Sequence, residues 1–266
     1  MRKHFWWFIG ALLLFSVTVI SWRPASALKS TNKITKTLTA KEFFAQYVSD
    51  IYQTANLQQT GLDVNVFQKA VTGYMNLKLA NKLPANSNVI TVVDFAKSSR
   101  EKRMWIIDIV NKSLILNTWV AHGQGSGDDI ANRFSNNNDS HQSSLGFYLT
   151  NDVYMGKHGR SLRLDGLDGG INSAARARGI VIHAANYVCQ NTINQIGRLG
   201  RSFGCPAVSP EVSDLVINTI KGKTVLYING NDGNYMSKLL DDTTPANFLA
   251  SAADSIQTDS ASVAKL

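Results

Sequence analysis

Gly179-Ile180-Val181-Ile182-His183 and, further on, Gly200-Arg201-Ser202-Phe203-Gly204-Cys205-Pro206 are the segments around which this chain is organised. Ile180 to Ile182 is a short apolar run that reads as a buried strand with a histidine at its end. The second segment places a cysteine on a glycine-flanked turn, where backbone N–H groups can converge on one point. A helix-like run, Glu211 to Ile220, follows Pro206 and Pro210. A helix start near Cys205 would favour its thiolate, and His183 would either draw the thiol proton or form an ion pair with the thiolate. A thiol, a base and convergent donors are the parts of a covalent acyl-transfer site. Cys205 is the candidate nucleophile, His183 the candidate base, and Ser202, Phe203 and Gly204 the candidate oxyanion or turn support. A histidine after a strand is often structural, and a cysteine is often an inert hydrophobe or half of a disulfide. Those readings stay open here.

Other chemistries are weaker. His122, His141, His158 and His183 are scattered, with no H-x-H, H-E-x-x-H or paired C-x-x-C, which argues against zinc. No G-x-S-x-G occurs for a serine hydrolase. The Gly-rich loop His122-Gly123-Gln124-Gly125-Ser126-Gly127 lacks dinucleotide spacing and a Gly-Lys-Ser/Thr. A loop that closes over an extended peptide fits it better, with His122 either lining that cleft or bonding the loop.

The chain has 266 residues, is 44% hydrophobic and carries a formal net charge of +8. Met1-Arg2-Lys3-His4 is a basic start, Phe5 to Ile20 is apolar, and Ala25-Ser26-Ala27 is a small-x-small cleavage site. Residues 1–27 read as a signal peptide, with an uncleaved anchor as the alternative. The apolar run is short of the about 20 residues that span a bilayer. Removing Arg2, Lys3 and Arg23 leaves 24 basic against 19 acidic residues, a net charge of +5. This diffuse excess suits an anionic wall and argues against nucleic acid. Export makes a Cys189–Cys205 disulfide a live alternative to two separate thiols.

Residues 28–88 read as a lead-in and helical segment. Thr39-Ala40-Lys41-Glu42 is a capping box, and Asp63 caps a second helix with Val66, Phe67, Ala70, Val71, Tyr74 and Leu77 on one face. The helices are expected to pack on the following sheet. Residues 89–230 change period. Val89 to Val93 reads as a strand, Met104 to Val120 as a hairpin turning at Asn111-Lys112-Ser113, Ser143 to Thr150 as a strand, and Val225 to Ile228 as the last one. Asp128 to His141 is a polar surface loop. Lys157, Arg163, Arg176 and Arg178 are candidate readers of substrate carboxylates. Residues 231–266 read as a largely disordered extension, Ser-, Ala- and Asp-rich after Pro245.

Ile182-His183 with Ser202-Phe203-Gly204-Cys205 resembles the paired histidine and S-x-G-C motifs of murein L,D-transpeptidase catalytic domains, the YkuD-like family. Gly200 to Ala207 resembles the branch whose motif reads G-R-S-x-G-C-P-A. The likeness continues upstream through His122 to Gly127, Phe134-Ser135-Asn136 and Gly156-Lys157-His158-Gly159, and covers roughly residues 60 to 230. Ala184 and Ala207 depart from the wider family. The resemblance implies a mainly β, sandwich-like fold with flanking helices. It implies a Cys205 thioester on peptidoglycan stem peptides with release of D-alanine, and no metal or organic cofactor. His122, His158, Arg163 and Arg201 are the candidate substrate-binding residues. An L,D-carboxypeptidase, a thiol amidase, or a non-catalytic peptidoglycan-binding protein bridged at Cys189–Cys205 are the alternatives. A monomer is expected, periplasmic or exported and associated with the cell wall, without stable membrane insertion after signal cleavage.

Overall fold

Alternation along the strands decides the architecture. The computed structural model describes residues 38–263; the signal peptide expected over residues 1–27 lies outside them. Eight strands form one sheet: β1 (Val89–Asp94), β2 (Met104–Asp108), β3 (Ser113–Thr118), β4 (Gly146–Gly156), β5 (Gly159–Gly166), β6 (Val181–Ala184), β7 (Ala207–Val208) and β8 (Val225–Asn229). Their spatial order is β3-β2-β1-β8-β4-β5-β6-β7. The β1–β8 and β6–β7 pairs are parallel and the others antiparallel.

Successive strand residues face opposite sides of a sheet. Ile90 and Val92, Trp105 and Ile107, Phe147, and Val225 and Tyr227 therefore fill one core. Val93, Met104 and Ile106, Tyr148, and Leu226 and Ile228 fill the other. The first core is closed by α1 (Ala40–Thr54) and α2 (Val64–Leu79), the second in part by α4 (Pro210–Ile220). A short α3 (Gln190–Ile196) lies between β6 and β7 in sequence.

The N-terminal helices start where their caps direct. The Thr39 hydroxyl accepts from Glu42 N–H while the Glu42 carboxylate accepts from Thr39 N–H. Asp63 Oδ1 accepts from the N–H groups of Asn65 and Val66. Both satisfy donors that a first turn leaves unpaired. Gly73 of α2 is the notch for the Phe147 ring, since a Cβ there would meet Phe147 Cε1 at 2.1 Å. Sheet and helical segment thus share one core.

The disorder expected after Pro245 is corrected. Thr243–Val263 forms a helix, α5. Ala246 is buried and Leu249, one turn on, packs against the first core, while Asp242 pairs with Lys41 at 3.2 Å. Two apolar residues on one face and an Ala-rich composition suffice for a helix with a surface to dock on. The segment leading to it is anchored too: buried Asp168 accepts from the hydroxyls of Tyr235 and Ser237.

Candidate active site

Ile182 points into the second core, so Val181 and His183, its neighbours on β6, face the other way and line an open cleft of about 380 Å³. Cys205 lines the same cleft from the turn before β7, whose Ala207 is the parallel partner of His183. The thiol donates to Gly179 O at 3.7 Å and accepts from Val181 N–H at 3.5 Å. The candidate nucleophile therefore touches the chain at Val181, two residues before the candidate base on β6. No hydrogen bond joins them directly.

His183 Nδ1 donates to Ala184 O at 2.9 Å, because a carbonyl can only accept. The proton is therefore on Nδ1, and Nε2 keeps the lone pair of a base. Burial pushes the His183 pKa down, and the charges of His158 and Lys157 add to this despite the Ala184 bond. Burial pushes the Cys205 thiol up, against the Val181 N–H and the cations Arg178 and Lys157. Both shifts favour a neutral thiol beside a neutral imidazole at neutral pH. Of the two readings open in the sequence, proton transfer to His183 or an ion pair with the thiolate, these directions favour the first. Along the chain, β7 and the N-cap Ser209 separate Cys205 from α4.

The cysteine turn is held from three sides. Ser202 N–H donates to His122 O and Gln124 N–H to Ser202 O. Ala121 and Ala207 exchange both backbone bonds. The Ser202 hydroxyl donates to Cys205 O at 2.6 Å and accepts from Gly204 N–H at 3.1 Å. Ser202 thus braces the turn and Gly204 N–H is spent on it, while the N–H groups of Phe203 and Cys205 have no acceptor among the described residues. Gly204 has φ +122°, and a Cβ there would lie 2.9 Å from Gln142 O. Only glycine fits.

Beneath the turn lies a buried serine relay with no sequence signature. Ser143 Oγ donates to Gly204 O and accepts from Gly123 N–H, both at 3.0 Å. Ser143 N–H donates to Ser126 Oγ at 2.9 Å. Neighbouring small polar residues in a loop carry no periodic pattern, and what marks these two is burial, which appears only after folding.

The candidate substrate residues separate. His158, on the β4–β5 turn, lines the cleft and stacks on His183 with centroids 4.3 Å apart. Arg201 lines it, but donates to Gly127 O at 2.8 Å and to Asp128 at 2.9 Å. His122 does not line it. Only 1% exposed, its Nδ1 accepts from the buried Arg103 guanidinium at 2.7 Å and its Nε2 donates to Gly127 O at 3.3 Å. Burial and the Arg103 charge drive its pKa down to about 4. Arg163 is also outside the cleft, paired with Asp152 at 2.9 Å over the Tyr154 ring. Arg176 pairs with Asp152 and Asp165, whereas Arg178 and Lys157 line the cleft. Phe203, 62% exposed, stacks on His141 at the rim. Both cysteines are free: Cys189 sits at the N-cap of α3 against Thr192, so the bridged alternative is not what the chain adopts.

Comparison with known proteins adds the lineage. No curated protein sequence matches the chain significantly. Among solved structures, an L,D-transpeptidase from Mycobacterium smegmatis is 12% identical with a TM-score of 0.33, over 54% of this chain and 59% of that one. An L,D-transpeptidase from Stackebrandtia nassauensis is 12% identical at 0.34, over 71% and 78%. The helical cell shape determining protein Pgp2 from Campylobacter jejuni is 13% identical at 0.38, over 68% and 62%. The chain spans about three fifths of the length of the first of these. A family model for the L,D-transpeptidase catalytic domain matches residues 58–229, from the last turn before α2 to the end of β8. On that match, which takes in both catalytic candidates and most of the sheet, the chain belongs to the L,D-transpeptidase catalytic domain family.

Proposed function

We propose that this protein is a cysteine acyltransferase that acts on peptidoglycan stem peptides outside the cell membrane. The observation that carries the reading is the placement of Cys205, on the turn before β7, and His183, on the adjoining β6, along one open cleft. His183 Nε2 takes the thiol proton as a stem peptide enters, and the thiolate attacks the carbonyl that joins the diamino acid to the terminal D-alanine. The oxyanion develops toward the free N–H groups of Phe203 and Cys205, an arrangement in which one donor is worth about 2.7–4 kcal/mol in comparable enzymes. The carbon–nitrogen bond breaks, His183 returns the proton to the departing D-alanine amine, and a Cys205 thioester remains. An amine of a second stem then takes the acyl group and gives a cross-link; water gives a carboxypeptidase. The chemistry draws on side chains and backbone donors alone.

Incubation with a tetrapeptide stem or a carbapenem, followed by mass spectrometry, tests this. The expected result is an adduct on Cys205, absent in Cys205→Ser. Turnover by purified Cys205→Ser would end the proposal. D-Alanine release without cross-linked dimer identifies the hydrolytic outcome.

A further inference from the structure

We propose that Arg178 is the positioning residue of the nucleophile: its guanidinium ties the polar loop to the cysteine turn and supplies the fixed positive charge under which the Cys205 thiolate forms. This deepens the acyl-transfer reading and rests on it for its biological meaning.

The geometry has two parts. Nη1 donates to Ser135 O at 2.7 Å and Ser144 Oγ at 2.6 Å, and Nη2 donates to Ser140 Oγ at 3.2 Å and Gln142 O at 2.7 Å. One planar fork thus gathers a loop that has no regular structure of its own. That loop is the seat of the nucleophile, because Gln142 O packs on Gly204 and Ser143 Oγ bonds Gly204 O. A Cβ on Gly204 would lie 3.4 Å from Arg178 Nη2, so the guanidinium abuts the residue before Cys205. The next residue along, Gly179, holds the thiol proton on its carbonyl.

The second part is charge. All of these acceptors are neutral carbonyls and hydroxyls, and no carboxylate pairs with Arg178 among the described residues. A cation solvated by neutral dipoles keeps its field. The other charged or titratable groups facing the cleft are less able to serve. Arg201 is offset by Asp128. Lys157 and His158 stand on an exposed turn, where water screens them. His183 is neutral at rest, Tyr187 is held protonated by burial, and the loop itself brings His141 and the acid Asp139. With no imidazolium at rest, Arg178 is the partly buried cation left to offset the desolvation of the thiolate. Burial pushes the Arg178 pKa down, and Tyr148 and Cys205 act against it in favour of the charged form.

The test is the pH profile of Cys205 alkylation by iodoacetamide, read by mass spectrometry from about pH 6 to pH 10. A Cys189→Ser background leaves one reporting thiol. Arg178→Gln is expected to move the midpoint up by about one unit, and Arg178→Lys, which keeps the charge without the fork, by less than half of that. An unmoved midpoint in Arg178→Gln, or equal displacement in both variants, overturns the charge assignment and leaves a loop anchor. If Arg178→Gln loses its cooperative thermal transition, the ¹⁵N resonance of the Arg178 side chain, assigned by its loss in Arg178→Lys, decides. It must follow thiol ionisation; a flat resonance overturns the proposal. Alkylation that behaves as expected in a protein that forms no stem-peptide adduct keeps the assignment and removes the acyl-transfer reading instead.

Discussion

Ser143 shows how a site depends on residues with no chemistry of their own. Its hydroxyl joins the Gly-rich loop to the cysteine turn, and nothing in Ser143-Ser144-Leu145-Gly146 announces it. His122 is the converse: a conspicuous residue in a conspicuous loop, used as a buried strut. Arg103 can only donate, so His122 Nδ1 must stay unprotonated to accept. The sign of the pH effect follows. His122 titrates at about 4 when folded and near 6.5 when unfolded, so the unfolded chain binds more protons between those values. Stability is full above about pH 6.5 and falls as the pH drops toward 4. His122→Gln, which can still accept from Arg103 and donate to Gly127 O, is expected to remove about 2 to 3 kcal/mol of that dependence. Urea unfolding of both proteins at pH 7 and pH 4 reads this directly. Parallel loss in the two would show that His122 is not the titrating strut.

At the scale of elements, the β4–β5 hairpin and β6 act together. The hairpin turn places His158 on the His183 ring, and β6 carries His183 opposite Ala207. β6 and the first half of β4 were legible from their apolar runs; β5 and the adjacency of the three were not, because strand order depends on which edges find partners after collapse. The stacked ring contributes to the burial that holds His183 neutral, and its charge acts in the same direction. His158→Ala is therefore expected to raise the His183 pKa toward the ordinary imidazole value. In an NMR titration the His183 ring midpoint shifts to higher pH, and the acid limb of the activity profile moves with it. A midpoint that stays or falls would mean the stack merely fills space.

Across the whole molecule, the helical segment and the sheet behave as one structure. Phe147 of β4 occupies the gap above Gly73 of α2 and stacks on Tyr227 of β8 at 4.5 Å, linking helix layer and sheet through one ring. Gly73→Ala sets a helix-propensity gain of about 1 kcal/mol against overpacking of about 1 to 3 kcal/mol. The expected net result is a lower Tm in a single transition, recovered in part by adding Phe147→Leu. A Tm that rises in Gly73→Ala would show that the helices yield to the sheet and do not lock onto it. The docking of α5 belongs to this scale too: its composition looked too polar to bury, yet Ala246 found a surface already formed by α1 and α2.

Periodicity and capping chemistry in the sequence alone determined α1, α2, α4 and most strands, because these depend on side chains close along the chain, and the glycine-flanked cysteine turn and the histidine ending an apolar run were legible there as candidates. The likeness to a known family followed from the same short motifs. Tertiary structure alone decided the direction in which burial shifts Cys205 and His183, the partners of the cleft arginines and the serine relay. Burial and the neighbours that replace water set those properties, and both come into being only when distant segments meet.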